Sequence, residues 1–517
     1  MDLGIEFSKM ASRDKINKFD SLFKTSHLKK DMKHRAIRGG MITSASQGVM
    51  FFLRIASTVV LARMLIPEYF GLIGMVTALT ILIERFQDLG LGDAIVQNEE
   101  ITHEQVSTLF WINLAICTFF AITVALSAKA VAWFYDDQRL IWITVAFSIN
   151  FVFSGSAIQH QALIRRQMHF NHFAIIKVIS TIFGFVVAII LAWLGYGYWS
   201  LVWKELARTI LSTLLAWLLC PWRPSLPVRN SGVRSMLKFG YNVTGYNILF
   251  YLTNNLDSIL IGKFFGAVPL GLYSRAKQLT TMPMSQLLEP IKYVSLPALG
   301  ALQNDHDKYR KYFGKMLSTI SFLYMPIIVY IGIYSHPIVF LTLGPQWMDV
   351  VPIFRLLAIS MLVRPVVTLL GLPLLSSGLT KRYFIWGAGT SLLLVIAFVG
   401  GSRWGAIGVA ASWPIATVMS LLFSLFFVFE GTPVNLRSTL NLIYKPMTAS
   451  VIMGIVLIQT YSSFASFNTL IQILLSLSLA AGMYFFIWML FPGGYNNIIE
   501  FASYPITAMK NRNKTSL

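Results

Sequence analysis

Residues 173–194 read FAIIKVISTIFGFVVAIILAWL, and Lys177 is the only charged residue among them. An α-helix rises about 1.5 Å per residue, so about 20 apolar residues cross the roughly 30 Å hydrocarbon core of a bilayer. The stretch therefore predicts a transmembrane helix. Similar stretches follow one another along most of the chain.

Counting these stretches predicts about fourteen transmembrane helices. Their predicted limits are 41–62, 70–91, 107–128, 140–160, 173–194, 197–219, 239–262, 270–299, 316–342, 350–374, 383–400, 405–429, 446–465 and 469–491. The second and eighth are the least regular, because charged residues, prolines and polar residues interrupt them. The loops between them are too short to hold a folded domain. The predicted fold class is therefore all-α, as a polytopic membrane protein.

The composition agrees with this class. The chain has 517 residues, of which 56% are hydrophobic and 12% are charged, and its mean hydropathy is +0.64. Soluble domains carry about 25% charged residues, so most water-soluble enzyme classes are excluded. The two cysteines, Cys117 and Cys220, lie in or beside apolar segments and provide no zinc or disulfide framework.

The distribution of basic residues predicts the orientation in the membrane. The chain has 42 Lys and Arg residues against 22 acidic ones, a net charge of +20. If the N-terminus is placed inside, the inside segments hold 28 Lys and Arg and the outside segments hold 5. Cytoplasmic loops of membrane proteins carry this excess. We therefore expect a multi-pass protein with both termini in the cytoplasm.

The N-terminal arm is basic and lacks the features of a signal peptide. Apolar residues at helical spacing lie between its lysines: Ile16, Phe19, Leu22 and Phe23. This pattern is typical of a helix on the inner leaflet, and a flexible basic tail is the open alternative.

An internal repeat predicts the architecture. Residues 62–72, ARMLIPEYFGL, align without a gap at an offset of 200 with residues 262–272, GKFFGAVPLGL. At the same offset Gln47 pairs with Asn247, Arg54 with Asn254 and Ser57 with Asp257. Six predicted helices separate the copies, so the two halves are expected to be parallel repeats. The predicted domains are an arm (1–39), an N-lobe (40–219), a C-lobe (239–429), two additional C-terminal helices (444–491) and a cytoplasmic tail (492–517).

Charged residues inside the predicted spans indicate a functional cavity. A charge at the bilayer centre costs roughly 2.5–3.5 kcal/mol on insertion scales, so it usually faces a cavity or a partner. Basic residues dominate, which favours an anionic substrate. The predicted cavity residues are Arg54, Asn247, Asn254, Asp257, Arg275, Lys277 and Arg364. Two structural alternatives remain: Lys204, Glu205 and Arg208 form a local ion cluster, and Arg364, which precedes Pro365, serves a helix break. Arg355 is a further intramembrane charge.

Enzyme signatures are poor. The sequence has no nucleotide-binding loop, no HExxH and no GxSxG motif. Asp305-His306-Asp307 resembles an acidic metal-binding triplet but lies in a short basic loop, where a solvated loop is the better interpretation. His169 and His172 have no neighbouring carboxylates and are interpreted as structural. We expect no catalytic residues, no metal site and no cofactor.

Several motifs in order resemble one family. They are LARMLIPEYFGL (61–72), FQDLGLG (86–92), GYGYWSL (195–201), DSILIG (257–262), LGLYSR (270–275) and PIKYVSLP (290–297). The chain resembles the polysaccharide transporters, the exopolysaccharide and O-antigen flippases of the multidrug/oligosaccharidyl-lipid/polysaccharide exporter superfamily. The resemblance covers roughly residues 40–490.

The resemblance implies two lobes, helices 1–6 and 7–12, facing each other across a cavity. It also implies movement of an undecaprenyl-diphosphate-linked oligosaccharide from the inner to the outer leaflet, for lipopolysaccharide or exopolysaccharide biosynthesis. Implied partners are this lipid-linked substrate, membrane lipids and the polysaccharide polymerase machinery, without nucleic acid. Asp257 is a candidate either for pairing with a cavity arginine or for binding a coupling cation, a proton or sodium. The open alternatives are a multidrug cation antiporter of the same superfamily and a membrane polysaccharide polymerase or ligase.

Overall fold

The computed structural model describes residues 23, 32–87, 90–98, 100–228, 253–492 and 494. Over these residues all regular structure is helical, which confirms the all-α class. In the first half the helices are α1 (Met32–Met64), α2 (Pro67–Gln87), α3 (Leu91–Gln97), α4 (His103–Tyr135), α5 (Leu140–Arg166), α6 (Phe170–Trp193) and α7 (Trp199–Leu219).

In the second half, helical residues 253–265 form α8. The remaining helices are α9 (Ala267–Ala301), α10 (His306–Ile333), α11 (Ser335–Thr342), α12 (Val350–Met361), α13 (Arg364–Ser376), α14 (Thr380–Gly401), α15 (Gly405–Phe427), α16 (Leu436–Ala465) and α17 (Thr469–Leu490). Short 3₁₀ turns occur at Pro345–Trp347 and Ser402–Trp404.

The helices match the predicted spans closely. Every predicted stretch except the seventh overlaps a helix over most of its length, and most of the seventh (239–262) lies outside the described residues. Among the described residues, nine helical stretches are long and apolar enough to cross a membrane. One of them, Thr380–Phe427, comprises both α14 and α15. The chain is therefore a multi-pass membrane protein, and the count of fourteen helices stays a prediction.

Two predicted spans are broken in the structure. The tenth is divided into α12 and α13, and Arg364 and Pro365 occupy the first two positions of α13. Proline is tolerated there because the first backbone N–H groups of a helix have no intrahelical partner. A helix break is therefore present beside Arg364, as one of the two alternatives for this residue requires, and its role in a cavity stays a prediction. The ninth is interrupted at Tyr334, between α10 and α11.

Side-chain caps fix the beginnings of three long helices. Thr102 and Gln105 form a reciprocal capping box at the start of α4. Asp305 accepts the backbone N–H of Lys308 at 3.1 Å at the start of α10. Asn435 accepts the N–H of Ser438 at 2.9 Å at the start of α16. Each cap satisfies an N–H group that the helix itself leaves without a partner.

The chain divides into two compact units, unit 1 (Met1–Gly271) and unit 2 (Leu272–Leu517). The core of unit 1 lies among α3, α4, α5 and the residues after α7, and it includes Phe110 and Trp222. The core of unit 2 lies among α9, α10, α13 and α14, and a second cluster packs α16 and α17 against α10. The lobe limits predicted from the sequence stay a prediction.

Two glycines let α2 and the start of α9 cross closely within unit 1. A Cβ atom at Gly71 would overlap the carbonyl of Ala267, and a Cβ atom at Gly271 would overlap the carbonyl of Pro67. Pro67 and Ala267 are the first residues of their helices. Pro67 and Ala267 differ by 200 residues, and so do Gly71 and Gly271, which is the offset of the sequence repeat. Residues of the two aligned segments therefore lie close together within unit 1.

Part of the arm is buried in unit 1. Phe23 is 6% exposed and packs edge-on against His103, with ring centroids 5.8 Å apart. The buried guanidinium of Arg166 donates to the carbonyls of Phe23 at 3.0 Å and Ile95 at 2.8 Å, and also to that of Asn98. Arg166 thus connects the arm, α3 and the end of α5. The other three residues of the proposed amphipathic pattern lie outside the described residues.

Candidate substrate-binding residues

The predicted cavity residues fall into both units. Arg54, Asn254 and Asp257 belong to unit 1, whereas Arg275, Lys277 and Arg364 belong to unit 2. Asn247 lies outside the described residues. We describe the two groups separately, and their assignment to one cavity stays a prediction.

Helix α1 presents polar side chains on its surface. Gln47 and Arg54, two turns apart, are both exposed. The carbonyl of Arg54 accepts the Thr58 hydroxyl at 2.8 Å. Because a charged side chain is costly in hydrocarbon, an exposed arginine in the middle of a predicted span is expected to border water or a polar ligand.

Asp257 in α8 is fully buried, with an exposure of 0%. Its Oδ1 atom accepts the backbone N–H of Ser258 at 2.7 Å and the Ser258 hydroxyl at 3.3 Å. Asn254, one turn earlier, is half-buried. A buried carboxylate with hydroxyl and amide groups around it has the chemistry to bind a proton or a small cation.

In unit 2, two of the predicted cations converge on a tryptophan. The guanidinium carbon of Arg364 lies 4.1 Å from the ring centroid of Trp413, and Lys277 Nζ lies 5.7 Å from the same ring. Lys277 Nζ also lies 5.9 Å from the ring centroid of Tyr273. Trp413 Nε1 donates to the Tyr273 hydroxyl at 2.6 Å. We call Tyr273, Lys277, Arg364 and Trp413 the cation–aromatic cluster.

Packing fixes the aromatic part of this cluster. Trp413 is 1% exposed and Tyr273 is 0% exposed, while Lys277 and Arg364 are half-buried. Phe398 packs against Trp413 with ring centroids 5.0 Å apart. An aromatic face within about 6 Å attracts a cation without contributing a negative charge. The cluster therefore presents positive charge on a rigid support.

Arg275 is half-buried and lies two residues before Lys277 on α9. Helix positions two apart point in different directions. Arg275 and Lys277 therefore occupy different faces of α9, which their closeness in the sequence does not reveal.

The other intramembrane charges have local partners. Arg208 lies 2.9 Å and Lys204 lies 3.9 Å from carboxylate oxygens of Glu205, as the local-cluster interpretation predicted. Arg355 Nε donates to the Ser335 hydroxyl at 2.8 Å, which links α12 to the start of α11. These contacts explain the charges as structural groups of α7 and α12.

The acidic triplet at the start of α10 is a helix cap with two ion pairs. Asp305 lies 2.8 Å from Lys308 Nζ, and Asp307 lies 2.7 Å from Arg310 Nη2. The side-chain hydrogen bond from Lys308 lowers the pKa of the Asp305 carboxyl below its ordinary value. Both carboxylates serve the first turn of α10, in agreement with the solvated-loop interpretation. His169 and His172 pack ring against ring at 5.4 Å.

Tyr273 and Trp413 were missed by the sequence analysis. Tyr273 lies inside the LGLYSR motif, in which Arg275 is the charged residue. Trp413 lies in the middle of an apolar span and precedes Pro414. Most membrane tryptophans lie at the interfaces. The position of Trp413, deep in a predicted span and beside a proline, was therefore the sequence signal that could have identified it as a functional residue.

A multi-pass helical fold with cationic side chains inside its predicted spans is typical of a membrane protein that handles a polar or charged molecule within the bilayer. A family model described as polysaccharide biosynthesis protein matches residues 60–352, more than half of the chain. The chain therefore belongs to this family, and the resemblance inferred from its motifs is confirmed.

Named relatives agree with this assignment, and a solved structure has a similar fold. The chain is 25% identical over 414 residues to teichuronic acid biosynthesis protein TuaB of Bacillus subtilis (80% of this chain, 86% of the relative). It is 25% identical over 415 residues to succinoglycan biosynthesis transport protein ExoT of Rhizobium meliloti (78% and 82%). Its fold is similar to that of the lipid II flippase MurJ in an inward closed conformation. The TM-score is 0.70 at 16% identity, over 90% of this chain and 100% of that one.

Proposed function

We propose that the chain is a flippase that moves a lipid-linked oligosaccharide repeat unit across the bacterial inner membrane for surface polysaccharide biosynthesis. The observation that carries the proposal is the cation–aromatic cluster, which holds Lys277 and Arg364 against Trp413 inside a membrane protein. A relative named as a succinoglycan transport protein supports transport rather than catalysis.

The cations would bind the phosphate groups that join the sugar to its lipid, with undecaprenyl diphosphate as the proposed carrier. Arginine can grip a phosphate through two parallel N–H donors, whereas lysine supplies a point charge. Trp413 and its hydrogen bond to Tyr273 keep Arg364 and Lys277 in place. The lipid tail stays in hydrocarbon while the headgroup crosses. Rocking of two parallel repeats would supply alternating access.

The first experiment removes the embedded cations one at a time. In cells that depend on the full-length protein for polymer export, Arg54→Ala, Arg275→Ala, Lys277→Ala and Arg364→Ala should reduce export at least tenfold. Protein levels in the membrane should stay unchanged. Lys381→Ala, which removes an exposed lysine at the start of α14, is the matched control and should export normally.

The substituted residues also separate the alternatives. Arg364→Lys should restore export only in part if the planar guanidinium contacts both phosphate and the Trp413 ring. Normal export in all four alanine variants would contradict the proposal. Efflux of cationic drugs that depends on these residues would instead support the antiporter, and polymerisation of sugar by the purified protein would support a polymerase.

A second experiment concerns Asp257, for which we propose the binding of a coupling cation. Asp257→Asn keeps the size of the side chain and removes its charge. We expect normal membrane levels with transport that no longer depends on the proton or sodium gradient. Loss of the folded protein would indicate that the buried carboxylate balances a positive charge, because Asp257→Asn would leave that charge in the interior without its partner. Unchanged transport and unchanged gradient dependence would remove Asp257 from the mechanism.

A further inference from the structure

A second basic site lies in unit 2, away from the embedded charges. A cavity of about 240 Å³ opens between the start of α10 and the start of α16. Its lining includes Lys311, Phe313, Lys315, Val434, Ser438 and Leu442. Nothing in the proposed transport mechanism uses these residues.

The cavity has an apolar wall. Phe313 is 1% exposed and Val434 is 5% exposed, so both are anchored in the core of unit 2. Gly314 allows α10 and α16 to approach, because a Cβ atom there would lie 3.0 Å from Leu442 Cδ1. An apolar wall of this kind suits an acyl chain or a glycerol backbone better than a fully hydrated ion.

The rim of the cavity is basic. Lys311 and Lys315 are both exposed and lie one turn apart on α10, so they project on the same side. The carboxylates of Asp305 and Asp307 bind Lys308 and Arg310. Among the described residues, the lining of the cavity includes three basic residues and no acidic one.

The start of α16 adds to this positive potential. Exposed Arg437 lies in its first turn, and the amino end of a helix carries a partial positive charge. The N-cap Asn435 occupies the N–H of Ser438, so the helix end contributes through its dipole rather than through that donor. The charge excess lies where α10 and α16, both long enough to cross a membrane, begin.

We propose that this cavity binds an anionic phospholipid of the surrounding leaflet. Its headgroup phosphate would lie against Lys311 and Lys315, and the upper part of an acyl chain would lie against Phe313 and Leu442. Basic pockets between helices on the cytoplasmic side of membrane proteins bind headgroups in this way. The bound lipid would join the C-terminal pair, α16 and α17, to α10. This site is independent of the proposed flippase activity.

The test uses the full-length purified protein in a neutral detergent. Phosphatidylglycerol should bind and raise the unfolding temperature, whereas phosphatidylcholine and inorganic phosphate should have much smaller effects. Each basic residue near an anionic headgroup contributes about a fivefold change in affinity. Lys311→Gln/Lys315→Gln should therefore weaken phosphatidylglycerol binding by roughly 25-fold. Lys129→Gln/Lys381→Gln removes two exposed lysines elsewhere and should leave binding unchanged.

A third variant examines the cavity with its charges intact. Ser438→Trp places a large side chain in the cavity while keeping both lysines, and it should abolish the phosphatidylglycerol effect. If phosphatidylcholine raised the unfolding temperature as much as phosphatidylglycerol does, the negative charge of the lipid would be irrelevant and the proposal would be wrong. Equal stabilisation by inorganic phosphate would identify a simple anion site. Undiminished lipid binding in both the Ser438→Trp and the double-lysine variants would place the lipid elsewhere and overturn the proposal.

Discussion

Arg139 joins two elements at the end of unit 1 that is predicted to face outside. Its Nη2 atom lies 2.7 Å from Glu68 Oε1, at the start of α2, and 2.8 Å from Asp137 Oδ2, in the turn before α5. Burial tends to raise the pKa of Asp137, but the hydrogen bonds from Arg139 outweigh it, so the pKa lies below its ordinary value. The folded protein therefore favours the ionised carboxylate.

This pair predicts a pH-dependent contribution to stability. A carboxyl whose pKa is lowered by folding stabilises the protein above its unfolded pKa of about 4, and that stabilisation is lost as the pH falls through the folded pKa. Asp137→Asn should lower the free energy of unfolding by about 1 kcal/mol at pH 7, since Arg139 is partly exposed. The difference from the wild type should shrink as the pH falls below about 4, as measured by thermal unfolding in detergent.

A neighbouring residue supplies the control for this measurement. Asp136 is exposed and has a φ of 57°, a left-handed conformation that asparagine also tolerates. Asp136→Asn removes the same charge from the same turn and should change stability very little at either pH. An equal effect of both substitutions would show that the net charge of the turn, rather than the Arg139 contact, is responsible.

At the scale of single residues, the sequence predicted only some of the contacts that the charged residues make. The pairing of Glu205 with Lys204 and Arg208 is local, so helical spacing was enough to predict it. The approach of Arg364 to Trp413 joins two helices about fifty residues apart. Such a contact depends on tertiary packing, which spacing along one helix does not encode.

At the scale of elements, the crossing of α2 and α9 depends on the absence of two side chains. Gly71→Ala and Gly271→Ala should each push a Cβ atom into a backbone carbonyl of the other helix. Overpacking of this kind costs roughly 1–3 kcal/mol and often more when backbone must move. We expect both variants to show lower unfolding temperatures and lower yields of folded protein.

Gly300 on α9 is the matched control for this pair. Among the residues that the structure describes, no atom lies within 4 Å of a Cβ atom built at Gly300. Gly300→Ala should therefore be neutral or stabilise the helix by roughly 0.5–1 kcal/mol, because alanine loses less backbone entropy. Comparable destabilisation at Gly300 and Gly271 would show that the crossing is not the cause.

The element boundaries illustrate how far pattern reading extends. Predicted limits such as 173–194 and 469–491 agree with α6 and α17 to within about three residues, because the bilayer itself sets the length of an apolar helix. The interruption at Tyr334 did have a signal, since Ser335, His336 and Pro337 follow it and proline is tolerated only in the first turn of a helix, but mean apolarity over the whole span masks it. Hydrophobicity reports burial in lipid and does not report where a helix bends.

At the scale of the whole molecule, the basic residues predict one orientation, and exposed tryptophans mark the ends of predicted spans. Trp133, Trp142, Trp193 and Trp404 are between 67% and 80% exposed, and all lie at helix ends predicted to face outside. Tryptophan is enriched at both membrane interfaces, so the positions of these four residues agree with the predicted ends of the spans. Lys and Arg residues concentrate in the opposite loops.

Reporter fusions give the direct measurement of topology. Fusions after Arg166, Lys311 and Lys381 should report the cytoplasm, and fusions near Gly197, Gln346 and Ser466 should report the periplasm. Because orientation alternates with each crossing, a single reversed loop would mean that one helix in the predicted set of fourteen is missing or additional. An alkaline phosphatase reporter and a cytoplasmic fluorescent reporter at each position provide mutual controls.

The burial of Phe23 has a consequence for how the protein is made. Arg166, whose guanidinium holds the Phe23 carbonyl, follows it by 143 residues. At a synthesis rate of about 5–20 residues per second, the ribosome needs roughly 7–30 s to add that length. During this interval α1 to α5 are translated and the pocket for Phe23 is incomplete. Phe23, which is translated before these helices, therefore reaches its final position only after they have been made.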